Sequence, residues 1–429
     1  MESTTPGSPD EREPVEFVVD LPHLSRVQNA LEKLDVKYEK VEEDDGLKLA
    51  LLRLTDPAKD VLPLRYNADL VTSAVLARVV SGLPGTPIPD LDLVMFAVRN
   101  QFAGQYGGWT PTIGKNRLIG AVEGAPHIGG GGVGDPKQLT NPAHLAHLKA
   151  ALSGTFHENS GTAGQVRVGI LDTAIVKRPE LTERLANPGD AIANPRSPAP
   201  SLQGHGTFVA GLIAQRAPNA KLEVRSVLSN ENATARVWTV ARKMAEFVKL
   251  DVKVLNMSFV CATGDGQPPL VLTRAVELLR PRIVLVAAAG NHGSIKPDPA
   301  NAGAEQQLTP KAAMWPGAFD DVYAVGADTR DRAPADFTPD LPWVDFMAPG
   351  EDVESTYLSG QVKLFHQCNE LKEFNGYAMW SGTSFAAATV SGEIARRAGN
   401  GENVEEATAA LRDAPHGDIR PFILSDEMK

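Results

Sequence analysis

Three short segments carry side chains that make an acid, a base and a nucleophile if the fold brings them together. They are Gly169-Ile170-Leu171-Asp172-Thr173, Gly204-His205-Gly206-Thr207 and Ser381-Gly382-Thr383-Ser384. A serine hydroxyl is a poor nucleophile at neutral pH, so it needs an imidazole to take its proton and a carboxylate to orient that imidazole and stabilise its charged form. A fourth segment, Ala287-Ala288-Ala289-Gly290-Asn291, ends in an amide that can donate to an oxyanion developing on an attacked carbonyl. Together these four side chains support acyl transfer. Each alone has an ordinary reading as a turn with a surface histidine, a strand-end aspartate or a helix cap. In conjunction, the separations of 33 residues from Asp172 to His205 and 179 from His205 to Ser384, with Asn291 between, fit one α/β domain with loops.

The flanking sequence supplies elements that could position these groups. Val166, Val168, Ile170 and Leu171 form an apolar run of strand length, as a buried parallel strand delivering Asp172 at its carboxyl end requires. Open α/β sheets bind ligands at that edge. After His205 the period changes: Phe208, Val209, Leu212 and Ile213 recur at helical spacing, and Gly204, Gly206 and Gly211 allow close backbone approach. At that helix N-terminus the dipole disfavours the imidazolium and keeps the ring able to accept a proton. Residues 283–289 read as a central strand that delivers Asn291. Ser384 is followed by Phe385, Ala386, Ala387, Ala388, Val390 and Ile394, a pattern for a buried helix whose first-turn amides favour an oxyanion, the Ser384 amide among them.

Through these motifs, over about Val166 to Leu411, the chain resembles the subtilisin-like serine proteases (subtilase family, peptidase S8), in which Asp, His and Ser occur in this order. The resemblance implies an α/β fold with a subtilisin-like parallel sheet and helices on both faces, plus a smaller N-terminal α+β domain. It implies a serine endopeptidase acting on protein or peptide substrates, with Asp172, His205, Ser384 and Asn291 catalytic and Ser258, Phe259, Val260, Ala288 and Gly290 at the substrate groove. The chain departs from the family pattern at Ala174, where a glycine is common, and at Ala388 and Thr389, where proline and often histidine occur. Neither change removes a reacting group. In Asn256-Met257-Ser258-Phe259-Val260-Cys261, Val260 and Cys261 replace the glycines that border the family's groove. A substrate strand pairs through main chain alone, so it survives that change, but the bulkier wall narrows the pocket for the residue before the cut. Two other readings stay open: a catalytically silent peptide-binding pseudoprotease, and a dedicated defence or maturation protease that recognises one target through residues 15–125.

Composition agrees with an enzyme carrying an added domain. The chain has 429 residues, 42% hydrophobic and 22% charged, and a net charge of −11, which argues against nucleic acid or an anionic membrane as partner. Its two cysteines, Cys261 and Cys368, allow at most one disulfide, and Cys261 reads as a small packing residue. His366 has no metal-ligand spacing around it and no Asp-rich loop suggests calcium, so no metal or cofactor is expected. The start lacks the basic end and apolar stretch of a secretory signal, and no segment is suited to span a bilayer, so a cytoplasmic protein is expected. The sequence carries no signal of oligomeric state.

Along the chain, residues 1–14 read as a disordered tail and 15–125 as the α+β domain. That domain begins with strand 16–20, helix 25–34 and two strands within 38–54 around Asp44-Asp45-Gly46, followed by helices 68–80 and 90–102 and a loop-rich stretch from Gly107. It is either propeptide-like, as subtilisin propeptides are small α+β folds that cap the groove, or a docking domain. Residues 126–160 read as a linker with a short helix at Pro142–Leu152. The glycine run 128–136 lacks the Lys-Ser/Thr ending of a phosphate loop, and self-cleavage is expected within 126–165. The catalytic domain, 161–415, alternates strand 222–228, helix 234–250, strand 252–259, helix 270–279 and strand 322–327. A long connection over 355–380 and a last helix at 404–411 follow, and 416–429 form a tail.

Overall fold

A computed structural model describes residues 15–83, 85–121, 134–153, 165–295, 308–365 and 370–424, which divide into two compact units, 1–116 and 117–429. In the smaller unit, Glu16–Asp20 lies between Leu49–Leu54 and Ile113–Lys115, and Tyr38–Asp44 completes an antiparallel sheet. Side chains alternate across a strand, so Phe17, Val19, Leu52 and Leu54 share one face. There they meet Val27 and Leu31 of helix Leu24–Lys33 and Leu93 and Val98 of helix Asp90–Gln105 in one core. The expected strand-helix-strand-strand start is present.

Among the described residues the larger unit is built on a seven-stranded sheet. Its order is Lys221–Ser226, Arg167–Asp172, Val252–Met257, Val284–Ala288, Tyr323–Asp328, Val344–Pro349 and Arg420–Pro421, and every neighbouring pair except the last is parallel. The strands are apolar and buried almost throughout, as a sheet covered by helices on both faces requires. Helix Thr383–Gly399 packs across the strands from Arg167–Asp172 to Val344–Pro349 and against helix His205–Arg216, while Val237–Glu246 and Leu270–Leu279 pack on each other. Ala386, Ala387 and Ala388 are fully buried where the first of these meets the sheet, which explains the run of small side chains. The chain leaves Arg167–Asp172 to one side for Lys221–Ser226 and returns on the other for Val252–Met257. This reversal opens a crevice at the carboxyl ends of those two strands.

Several boundaries differ from the sequence expectation. The helix expected at 234–250 starts at Val237, because Thr234–Arg236 is a strand in a second sheet ordered Thr234–Arg236, Leu118–Ala121, Phe259–Ala262 and Met314–Trp315, all antiparallel. The long connection is a hairpin of Val353–Lys363 and Leu371–Trp380. His366 and Cys368 lie outside the described residues, as does the glycine run up to residue 133. Just after that run, Asp135 is buried and accepts from Ser201 Oγ at 3.2 Å and Phe365 N at 2.7 Å, so this end of the expected linker is anchored.

Candidate active site

Asp172 is the last residue of its strand and is fully buried. Its side chain is held locally, with the Thr173 amide donating to Oδ1 at 2.7 Å. His205 opens helix His205–Arg216, and its Nδ1 lies 2.8 Å from Oδ1 and 2.9 Å from Oδ2 of Asp172. An acceptor-only carboxylate fixes the tautomer, because Nδ1 must carry the proton it donates and Nε2 is left as the basic atom. Nε2 is buried and has no partner among the described residues. The ring is walled by Trp380 and Phe385, with centroids at 5.8 and 5.4 Å, so the pair sits in a largely apolar box. Gly206 is required there, because a Cβ would come within 2.3 Å of the Thr173 carbonyl oxygen.

Ser384 is the second residue of helix Thr383–Gly399, in the turn whose amides lack helical partners. Its carbonyl accepts from Ser258 Oγ at 2.9 Å, Ser258 Oγ accepts from Asn256 Nδ2 at 2.9 Å, and Ser391 Oγ donates to Asn256 Oδ1 at 3.1 Å. These bonds tie the nucleophile's helix to the end of strand Val252–Met257. The Ser384 hydroxyl rests 3.5 Å from the Ser258 carbonyl oxygen, at the long limit of a hydrogen bond. Asn291 Oδ1 accepts from both the amide and the hydroxyl of Thr383, each at 3.0 Å, and the Gly290 amide donates to Thr383 Oγ1 at 3.1 Å. With Oδ1 bonded to Thr383, Nδ2 is the donor end of the Asn291 amide. The four side chains expected from sequence thus stand on adjoining elements: Asp172 bonds His205, Asn291 bonds Thr383 beside Ser384, and Phe385, next to Ser384, packs on the His205 ring.

Of the expected groove residues, Ser258, Phe259 and Ala288 are fully buried, Gly290 is buried, and Val260 is partly exposed. The sequence reading missed what occupies the edge of Phe259–Ala262. Gly120 pairs with Val260 and Ala121 with Phe259, while Thr234–Arg236 pairs with the other side of the same segment. The strand Leu118–Ala121 therefore fills the slot expected for substrate. The apolar run Leu118-Ile119-Gly120-Ala121 was the available signal, and Ile119 is 1% exposed.

Two further groups flank the site. Cys261 is a buried free thiol, and burial pushes its pKa up to about 12, which keeps it protonated and poorly reactive. His292, next to Asn291, is 1% exposed and donates from Nε2 to the Ala312 carbonyl at 3.0 Å. Burial lowers its pKa from 6.5 to about 4. The unfolded chain thus binds a proton that the native state refuses between about pH 6.5 and pH 4, so this contribution is complete above 6.5 and lost as pH falls. The expected loss is about 3 kcal/mol across that window. Urea midpoints of Ser384→Ala protein at pH 7 and pH 4.5 should fall less when His292→Gln is added. An equal fall in both backgrounds excludes His292 as the source.

Residues 163–414, which include Asp172, His205, Asn291 and Ser384, match the subtilase family model (peptidase S8). The chain is 30% identical over 247 residues to a thermostable alkaline protease of Halalkalibacterium halodurans, covering 55% of this chain and 58% of that protein. It is 30% identical over 265 residues to a thermophilic serine proteinase of Bacillus sp. (strain AK1), covering 58% and 56% respectively. It is 28% identical over 244 residues to an intracellular serine protease of Paenibacillus polymyxa, covering 54% and 65%. The chain spans somewhat over half the length of these curated relatives. Since the family model takes in more than half of its residues, including the four motifs that carry these side chains, the chain belongs to the subtilase family.

Proposed function

We propose that the chain is a serine endopeptidase that hydrolyses peptide bonds through an acyl-enzyme. Ser384 Oγ attacks the scissile carbonyl while His205 Nε2 takes its proton. Asp172 holds the Nδ1 proton and stabilises the imidazolium, and Asn291 Nδ2 with the Ser384 amide receives the oxyanion. His205 then protonates the leaving amine, and a water deprotonated by His205 hydrolyses the ester and restores the serine. The observation that carries this reading is the buried Asp172–His205 pair, 2.8 Å apart, with Nε2 unpartnered among the described residues beside the serine's helix.

Substrate main chain takes the strand position between Phe259–Ala262 and Thr234–Arg236. Because Leu118–Ala121 already holds that position, we read the N-terminal region as propeptide-like rather than as a docking domain. Ala121 pairs with Phe259, next to Ser258, whose carbonyl oxygen is 3.5 Å from Ser384 Oγ. On this reading the chain's own first substrate bond follows shortly after Ala121, a few residues before the 126–165 stretch expected from sequence. An intracellular processing role belongs to the same reading: the Paenibacillus polymyxa relative is named an intracellular serine protease, and no helix among the described residues is long and apolar enough to cross a membrane. The test is the intact mass of purified protein over time. A cut between residues 121 and 124 is expected in the wild type and not in Ser384→Ala. A wild type that digests added peptides but keeps its full mass refutes the propeptide part, and one that neither cuts nor reacts with a fluorophosphonate refutes the enzyme.

A further inference from the structure

Residues 134–138, at the end of the expected linker, reach His205 by two routes. The first runs through the indole of Trp380, whose Nε1 donates to the Gly134 carbonyl at 2.9 Å. That ring stands nearly perpendicular to the His205 imidazole, centroids 5.8 Å apart, and 5.3 Å from Phe385, the residue after Ser384. The Gly134 carbonyl supplies the acceptor that a buried indole N–H needs, and so fixes the rotation of the ring that walls the histidine. The second route runs through the turn before His205. Asp135 is buried, and its Oδ1 accepts from Ser201 Oγ at 3.2 Å and from the Phe365 amide at 2.7 Å. Ser201 opens the turn Ser201–Gly204, and its carbonyl accepts from the Tyr357 hydroxyl at 2.7 Å. The Tyr357 ring lies against Gly204, where a Cβ would come within 2.1 Å of it, and Gly204 precedes His205. The routes meet where the Tyr357 and Trp380 rings stand 5.7 Å apart. Lys137 and Gln138 then pair with Met379 and Ala378, so the same short segment also holds the strand that ends in Trp380.

We propose that Asp135 is a positioning residue for His205, and that residues 134–138 are a working part of the enzyme that stays on it after self-cleavage. Asp172 holds the imidazole through Nδ1. Where that ring sits is set by the Trp380 indole and the Ser201–Gly204 turn, and both are held by the adjacent residues Gly134 and Asp135. A cut shortly after Ala121 leaves this segment attached to the residues it braces. The proposal rests on the endopeptidase reading above, since the place of His205 matters to rate only if its Nε2 takes the proton of Ser384.

The experiment measures wild type beside Asp135→Ala, Asp135→Asn and Trp380→Phe. Four readings are taken: kcat and KM on one peptide, the rate of fluorophosphonate labelling, and the thermal unfolding midpoint. Alanine removes the acceptor, asparagine keeps an oxygen for both donors, and Trp380→Phe keeps a ring beside the histidine while losing the bond to Gly134. Asp135→Ala is expected to lower kcat and the labelling rate by about ten- to a hundredfold, the scale set by misplacing a reacting group by about 1 Å, with KM nearly unchanged. Asp135→Asn should recover most of that loss, and Trp380→Phe should lower kcat about tenfold. A lower midpoint with kcat and labelling rate per folded molecule unchanged in Asp135→Ala and Trp380→Phe shows a structural role and overturns the proposal. If Asp135→Ala does not fold, Trp380→Phe and the intact mass of the active wild type decide: fully active enzyme that begins after Gln138 overturns it too. Absence of any Ser384-dependent cleavage or labelling in the wild type overturns it together with the endopeptidase reading.

Discussion

Replacing Ser384 with alanine should lower peptide hydrolysis by roughly a million-fold, the size of loss that the same change produces in subtilisin. The reason is local. Once Oγ is gone, no other nucleophile in the crevice replaces it: His205 Nε2 has only water to deprotonate, and the Thr383 hydroxyl is committed to Asn291. The folded state should scarcely notice, because Oγ makes only a 3.5 Å contact with the Ser258 carbonyl, so the stability change should stay within about 1 kcal/mol. Three measurements check this on one sample: kcat/KM on a peptide, fluorophosphonate labelling and the thermal unfolding midpoint. Residual activity within about a hundredfold of wild type would remove Ser384 from the chemistry.

The second large effect is expected at Asp172. Asparagine keeps the size of the side chain but reverses the hydrogen-bond logic. Thr173 N donates to Oδ1 at 2.7 Å, so a carbonyl oxygen is retained at that corner and the new amine faces His205 Nδ1, which must then accept. Its proton moves to Nε2, the atom that should take the serine's proton. The expected loss in kcat is about ten-thousand-fold at neutral pH, as for the corresponding change in the chymotrypsin-like triad. Both groups are fully buried, so no solvent rearrangement offers the ring an easy way out. Measured kcat for Asp172→Asn within tenfold of wild type would show that His205 is not oriented through this carboxylate.

The candidate site residues were legible because each sits where a pattern changes: Asp172 where an apolar strand ends, His205 and Ser384 where helical periodicity begins, Asn291 after a run of buried alanines. Such transitions are local in sequence. The helices at Ala68–Val80, Pro142–Leu152 and Leu270–Leu279 were legible for the same reason. Thr234–Arg236 was not. It stands at the head of a strongly amphipathic helix and was read as its first turn, yet it is extended because it pairs with Leu118–Ala121, more than a hundred residues earlier. The hairpin Val353–Lys363 with Leu371–Trp380 was read as a connection because its strands carry Lys, Gln, Asn and Glu among the apolar residues, and strand propensity depends on the neighbour each face finds. Asp135 looked like linker because glycines precede it, and only its bonds from Ser201 and Phe365 reveal an anchor.

The sequence by itself determined the candidate site residues and the sheet that carries them, since the order Asp172, His205, Asn291, Ser384 and the buried strands before them depend on residue type and short-range period. Tertiary structure alone decided which segment pairs along the edge of Phe259–Ala262. Leu118–Ala121 reads in the sequence only as a short apolar run, and its place between Phe259–Ala262 and Thr234–Arg236 comes from main-chain pairing with segments more than a hundred residues away.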